Sequence, residues 1–176
     1  MMAGTTKDPL AVVGAPVEVR LEVEVDAVPE VVWALLSRPE RWRLWHRGVR
    51  EAGLDGGLEP GSRLLWRADG MRIVSEIREV EPERRLGFTL RTLGGRGYLR
   101  WSLEPLAPGR TLVRSEEVWD GISVRVLRRT LRRTLERSRT HGLEGLKARA
   151  EGGSSPPGGD SPPVGSGPVG SGPVEG

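Results

Sequence analysis

Residues 17–25 read Val-Glu-Val-Arg-Leu-Glu-Val-Glu-Val, apolar at every odd position and charged at every even one. A period of two fits an extended strand with one face buried and the other in water. Directly after it, residues 26–49 read DAVPEVVWALLSRPERWRLWHRGV and place three tryptophans (Trp33, Trp42, Trp45) in two short helical segments. Pro29 suits the first helical position, where a missing N–H costs nothing, and Glu30 favours the positive helix end. Ser37-Arg38-Pro39-Glu40 predicts a capping box that opens the second helix. The order is therefore strand, helix, tight break, short helix, strand. It narrows the fold well and the chemistry hardly at all.

The alternation continues. Strands are predicted at 49–54, 62–68, 71–80, 86–92, 97–104 and 111–119, separated by Asp55-Gly56-Gly57, Pro60-Gly61, Asp69-Gly70, Glu81-Pro82-Glu83, Gly94-Gly95 and Pro108-Gly109. Such dipeptides are turn and hairpin signals, so about seven antiparallel strands follow one another. Met71, Ile73, Ser75 and Ile77 share one face of their strand, as do Leu99, Trp101 and Leu103. A long helix is predicted over 122–150, with Val124, Leu127, Leu131, Leu135, Ser138, Gly142 and Leu146 on one stripe. At that length it spans roughly 40 Å, enough to cross a small domain. The fold class is α+β. A curved antiparallel sheet wraps the amphipathic rod and the two small helices close the open side.

The 176 residues suit one domain, predicted at 16–151, with a loose segment at 1–15 and a disordered tail at 152–176. That tail holds nine Gly, six Pro and five Ser, too few apolar groups to offset ordering entropy. The chain has no cysteine, which excludes disulfides, thiolate nucleophiles and iron–sulfur clusters; two histidines argue against a histidine-built metal site. No cofactor or metal is expected. Nothing resembles a signal peptide or a membrane span, so a cytoplasmic protein without integral membrane contact is expected. Six of the eight aromatic residues are tryptophan, which suits wide space between sheet and helix. Residues 121–150 carry eight Arg and Lys147 against Glu136 and Glu144, so the basicity belongs to one helix. With no nucleic-acid motif present, that arginine face is read as solvated and no nucleic-acid partner is expected.

The Pro29–Trp33 opening, the Trp42-x-x-Trp45 pair, Pro60-Gly61, Trp101, Glu117-Val118-Trp119 and the terminal helix together resemble the START-like (SRPBCC) superfamily, in particular its polyketide cyclase/dehydrase and lipid-transport branch. The resemblance runs from about Val17 to Ala150. It implies a helix-grip fold with a deep, mostly apolar cavity between sheet and long helix. Members bind hydrophobic small molecules as carriers or sensors, and others are polyketide aromatase/cyclases, co-chaperones or steroid-type binders. Fold alone does not choose among these.

The expected function is binding of a hydrophobic small molecule, lipid or polyketide-like, with a polyketide cyclase/dehydratase as the alternative and a protein-interaction module as a further one. Candidate ligand-binding residues are Trp33 and Trp45 on the small helices, and Met71, Ile73, Ser75, Phe88, Trp101 and Trp119 on the strands. Leu131, Thr134, Leu135 and Ser138 are the candidates on the long helix. Ordinary packing is the default use of Trp33, Trp42, Trp45 and Trp101. Glu117 is the candidate catalytic acid: facing inward with Val113, Ser115 and Trp119 it would be a carboxylate amid apolar groups, able to protonate or orient a carbonyl. The opposite face, Leu112 with Val118, is nearly as apolar, so the pattern leaves the register open. Arg100 or Tyr98 would support Glu117 only if their face turned inward. His46, beside Arg43 and Arg47, is read as a solvated group, and His141 as exposed. Gly142 lets something approach the helix closely. The oligomeric state is not written in the sequence.

Overall fold

The computed structural model describes residues 15–152. The expectations of a loose leading segment and a structureless tail fall largely on 1–14 and 153–176, outside the described residues. The first strand, β1 (Val17–Val25), leads into helix α1 (Pro29–Leu36) and a 3-10 helix (Pro39–Leu44). Six strands follow: β2 (Val49–Asp55), β3 (Arg63–Ala68), β4 (Met71–Glu81), β5 (Arg85–Thr92), β6 (Gly95–Ala107) and β7 (Arg110–Asp120). Helices α2 (Ile122–Val126) and α3 (Arg128–Gly152) close the described chain. None of its helices is long and apolar enough to cross a membrane.

All seven strands form one antiparallel sheet in the order β1-β7-β6-β5-β4-β3-β2. Each neighbour is the next strand in the chain except β1, which pairs with β7 from Val17 opposite Trp119 to Val25 opposite Thr111. The period-two patterns place Ile73, Ser75 and Ile77 of β4, Phe88 of β5, Leu99 and Trp101 of β6, and Val113, Ser115, Glu117 and Trp119 of β7 on the buried concave side. Helix α3 packs along β1, and the 3-10 helix packs on β2. This is the helix-grip arrangement, with the core between rod and sheet.

Local chemistry departs from the sequence reading in three places. The Ser37 capping box does not form. Ser37 instead ends α1, its N–H bonded to the Trp33 carbonyl at 2.8 Å, and no side chain caps the next segment. That segment is 3-10 rather than α-helical, and its Trp42 Nε1 donates to the Leu36 carbonyl at 2.9 Å, tying it to the end of α1. The terminal helix is broken at Leu127, whose φ of −102° and ψ of 17° separate α2 from α3. The two pieces serve different surfaces: α2 meets the ends of β6 and β7, whereas α3 lies over β1. A straight rod does not follow both.

Candidate functional site

Helix α3 buries Leu135, Ser138, Arg139, Gly142, Leu143, Leu146 and Ala150, a double column at spacings of three and four. Two glycines on this side of the helix make contacts that a side chain would block. A Cβ on Gly142 would stand 2.9 Å from His46 Nε2, and one on Gly145 would stand 1.8 Å from the Trp45 carbonyl oxygen. The bare helix surface thus admits the end of the 3-10 segment, which brings Trp45 and His46 into the grip. At the far end, Lys147 donates to the Glu24 carbonyl at 2.6 Å and pairs with Glu151, which accepts from the Asp26 N–H at 2.9 Å. Ser138 bonds Asp69 in the β3–β4 turn, fastening the open side.

Inside this frame Trp42, Trp45, Trp66, Phe88 and Trp101 form one cluster. Trp42 stacks on Phe88 with centroids 5.8 Å apart and meets Trp45 and Trp66 edge-on at 6.4 and 5.7 Å. Trp45 meets Trp101 edge-on at 6.2 Å. Edge-to-face and offset contacts at these distances are favoured by the ring quadrupole. The wide apolar cavity implied by the resemblance is therefore not open. The hollow bounded by Trp42, Trp45, His46, Trp66, Phe88, Leu99, Trp101 and Arg139 measures only about 10 Å³, room for roughly one water. A larger concavity of about 300 Å³ lies on the outer sheet face among Thr89, Tyr98 and Val118, but no unpartnered buried polar side chain lines it.

The small hollow differs in that respect. His46 is 2% exposed, not solvated as its arginine neighbours suggested, and neither ring nitrogen has a hydrogen-bond partner among the described residues. Burial, reinforced by the Arg139 charge, lowers its pKa to about 3, so the imidazole is neutral at physiological pH. Trp45 Nε1 is likewise buried and unpartnered, as is the Ser115 hydroxyl. Arg139, expected on the solvated face, is 4% exposed and places Nε 2.7 Å from Oε2 of Glu117, itself 1% exposed. The N–H is not aligned for a hydrogen bond, so charge attraction holds the pair. The other Glu117 oxygen accepts from Trp119 Nε1 at 2.7 Å. Glu117 does face inward, but it lies behind Arg139 and does not line the hollow.

Of the residues singled out from sequence, Trp45, Phe88 and Trp101 meet at this hollow. Ile73, Trp119 and Leu135 are buried in the surrounding core, and Trp33, Met71 and Leu131 are half-buried at its margin. Ser75 is buried and accepts from Trp66 Nε1 at 3.0 Å. Thr134 is exposed, because it falls on the solvent side of the stripe that Leu135 and Ser138 define, and Leu127, expected on that stripe, is exposed as well. Tyr98 and Arg100 turn to the outer face, where both donate to Glu79, Tyr98 at 2.7 Å and Arg100 Nη2 at 2.7 Å. Burial opposes ionisation of Glu79, yet the bonds from Arg100 and Tyr98 outweigh it and hold its carboxyl below the usual range. They therefore do not support Glu117. Trp66, Leu99 and Arg139 were not among the candidates. The alternation Leu64, Trp66, Ala68 marks Trp66, and the steps from Leu135 to Arg139 to Gly142 and Leu143 mark Arg139. Among the described residues no three His, Asp or Glu side chains gather as a metal site would require.

Residues 16–151 match a family described as polyketide cyclase / dehydrase and lipid transport. No curated protein matches the sequence. Similar solved structures include a hypothetical protein from Helicobacter pylori, at 18% identity and TM-score 0.74, covering 85% of this chain and 97% of that one. A START superfamily protein from Mycobacterium smegmatis aligns at 18% identity and TM-score 0.66, over 77% of this chain and 97% of its own. The di-domain ARO/CYC protein BexL from the BE-7585A biosynthetic pathway aligns at 19% identity and TM-score 0.63, over 79% of this chain and 48% of its own length. At these identities the likeness is one of fold.

Proposed function

The chain belongs to the polyketide cyclase/dehydrase and lipid transport family, and from that premise we propose that it binds a small, flat, mostly apolar molecule carrying a polar group, inside the grip. One observation carries the reading. Buried polar side-chain atoms are nearly always hydrogen-bonded, yet Trp45 Nε1 and both His46 nitrogens lack partners around one small hollow, beside the imperfectly aligned Arg139–Glu117 pair. A guest bearing a carbonyl or hydroxyl would complete them, while the indole walls of Trp42, Trp45, Trp66 and Trp101 would remove its apolar surface from water. Because the hollow is about 10 Å³, entry requires α3 and the 3-10 segment to part or the indoles to turn. The closed form is then the unliganded one. A lipid with a long chain fits this reading less well than a compact polyketide-like ring. A cytoplasmic setting belongs to the same proposal.

A second reading, a cyclase or dehydratase, is favoured by the neutral His46 facing the hollow. There His46 would be the group that exchanges a proton with the guest, and Glu117 would act by positioning Arg139.

Native mass spectrometry of the full chain purified from its own host tests the binding reading. A co-purified small molecule in one-to-one ratio is expected, and a His46→Phe variant should lose it. A chain that emerges empty, and whose tryptophan emission and melting temperature do not respond to naphthol- or anthraquinone-type probes, would sink it. Turnover lost with binding retained in His46→Gln would select the enzyme.

A further inference from the structure

The end of the molecule away from that hollow presents a different surface. Helix α2 buries Val124 and exposes the rest of its apolar residues: Ile122 is 84% exposed, Val126 77%, and Leu127 at the break 57%. The tip of the β5–β6 hairpin lies against α2, since Ser123 Oγ donates to the Gly94 carbonyl at 2.6 Å, and Leu93 at that tip is 102% exposed. Four large aliphatic side chains thus stand in water at one place. Scattered exposed leucines are ordinary; a group of them gathered at one tip marks an interaction site.

Around this group the charge is mostly positive. Arg91 and Arg96 face each other across the hairpin, and Arg125, Arg128, Arg129, Arg132 and Arg133 follow along α2 and the first turns of α3. Asp120 pairs with Arg96 and Arg125, and Glu136 with Arg132. Arg128, Arg129 and Arg133 have no acidic partner among the described residues. An apolar tip followed by unpaired guanidinium groups on the first turns of α3 fits one chemistry above others. Aliphatic side chains enter the acyl boundary while arginines meet phosphate head groups at the same depth. A nucleic-acid surface would use the arginines but offers the exposed isoleucine, valine and leucines no apolar region to enter.

We propose that the α2 and β5–β6 tip docks the protein reversibly on anionic lipid membranes. The short α2 lies in the interface, with Leu93, Ile122, Val126 and Leu127 inserted and Arg128, Arg129 and Arg133 on the head groups. This surface is separate from the interior hollow, and docking needs no guest bound there.

Vesicle flotation of the full chain tests it, using phosphatidylcholine alone and phosphatidylcholine with about one third phosphatidylserine. Binding to the anionic vesicles, and little to the neutral ones, is expected at physiological salt. Ile122→Ser with Val126→Ser should weaken that binding about tenfold or more with every charge retained. Arg129→Gln with Arg133→Gln should weaken it about tenfold to thirtyfold and flatten its salt dependence. All four positions are exposed, so unchanged circular-dichroism melting curves verify that the variants fold. No binding to anionic vesicles, or binding untouched by the serine pair, overturns the proposal. Tighter retention on duplex DNA that ignores the serine pair would identify a nucleic acid as the partner and overturn it too. So would a dimer in ultracentrifugation that the serine pair dissolves without affecting vesicle binding.

Discussion

The two ends of the terminal helix region carry the same residue types to opposite fates. Between Leu135 and Ala150, α3 buries its apolar column, one arginine and two glycine contacts against β1, the 3-10 segment and the β3–β4 turn. Between Ile122 and Thr134, comparable spacing leaves Ile122, Val126, Leu127 and a run of arginines in water. Periodicity states which residues share a face, not whether anything covers that face. Coverage is decided by how far the sheet reaches, and α2 meets only the ends of β6 and β7. Arginine shows the contrast best. Arg139 is locked against Glu117 in the core, while Arg133, less than two turns earlier, meets only solvent.

Substitution of those two arginines is the strongest way to break the contrast. Arg139→Met strands the buried Glu117 carboxylate and is expected to cost about 3–5 kcal/mol of stability, whereas Arg133→Met should stay within about 0.5 kcal/mol. Adding Glu117→Gln to Arg139→Met should restore a large part of the loss, because an amide is far cheaper to bury than a charge. Urea denaturation of the parent, Arg139→Met, Arg133→Met, Glu117→Gln and the double variant measures these differences; equal midpoints for Arg139→Met and Arg133→Met would show that the two ends do not differ.

Gly145→Ala sharpens the same contrast through the backbone. Its methyl would stand 1.8 Å from the Trp45 carbonyl oxygen, so the 3-10 segment must move off the helix, at an expected cost of about 1–3 kcal/mol. The rearrangement should also redshift tryptophan emission as Trp45 meets water. A variant as stable as the parent, with unchanged emission, would mean that the segment docks loosely.

The third expected effect is a slope. His46 has a folded pKa of about 3 against an ordinary 6.5, so between those values the unfolded chain binds a proton that the folded one does not. Its contribution is therefore fully present above about pH 6.5 and is lost as pH falls towards 3, by up to about 1.4 kcal/mol per pH unit. Denaturation midpoints of the parent and His46→Phe, followed from pH 7 to pH 4, measure the difference. Curves that stay parallel would place the imidazole in contact with water.

The sheet was legible because each of its strands carries its own two-residue period and each turn its own Gly, Pro or Asp. Strand alternation offers an inward Glu117 but leaves the opposite face equally open, and only the packing of β7 between β1 and β6 decides it. What could not be read were outcomes of packing across the chain. His46 is flanked by arginines that remain in water, and only the bare surface at Gly142 explains why the imidazole itself goes in. Arg139 sits on the inward column by spacing, but its charge argues for solvent until a buried Glu117 is found opposite. The size of the hollow is likewise a sum over aromatic rings from the 3-10 segment, β3, β5 and β6, and no local pattern records it. Resemblance supplied the grip and overstated its emptiness.

The pairing of β1 with β7 has a consequence for how the chain comes to exist. Val17 waits for Trp119 and Val25 for Thr111, so the first strand of the sheet to be synthesised finds its partner only after all the others have followed. Such long-range closure slows folding and leaves a valine-rich ribbon exposed in the interim. Its even positions, Glu18, Arg20, Glu22 and Glu24, then act as a guard, discouraging the nascent ribbon from adhering to its neighbours until the last strand arrives.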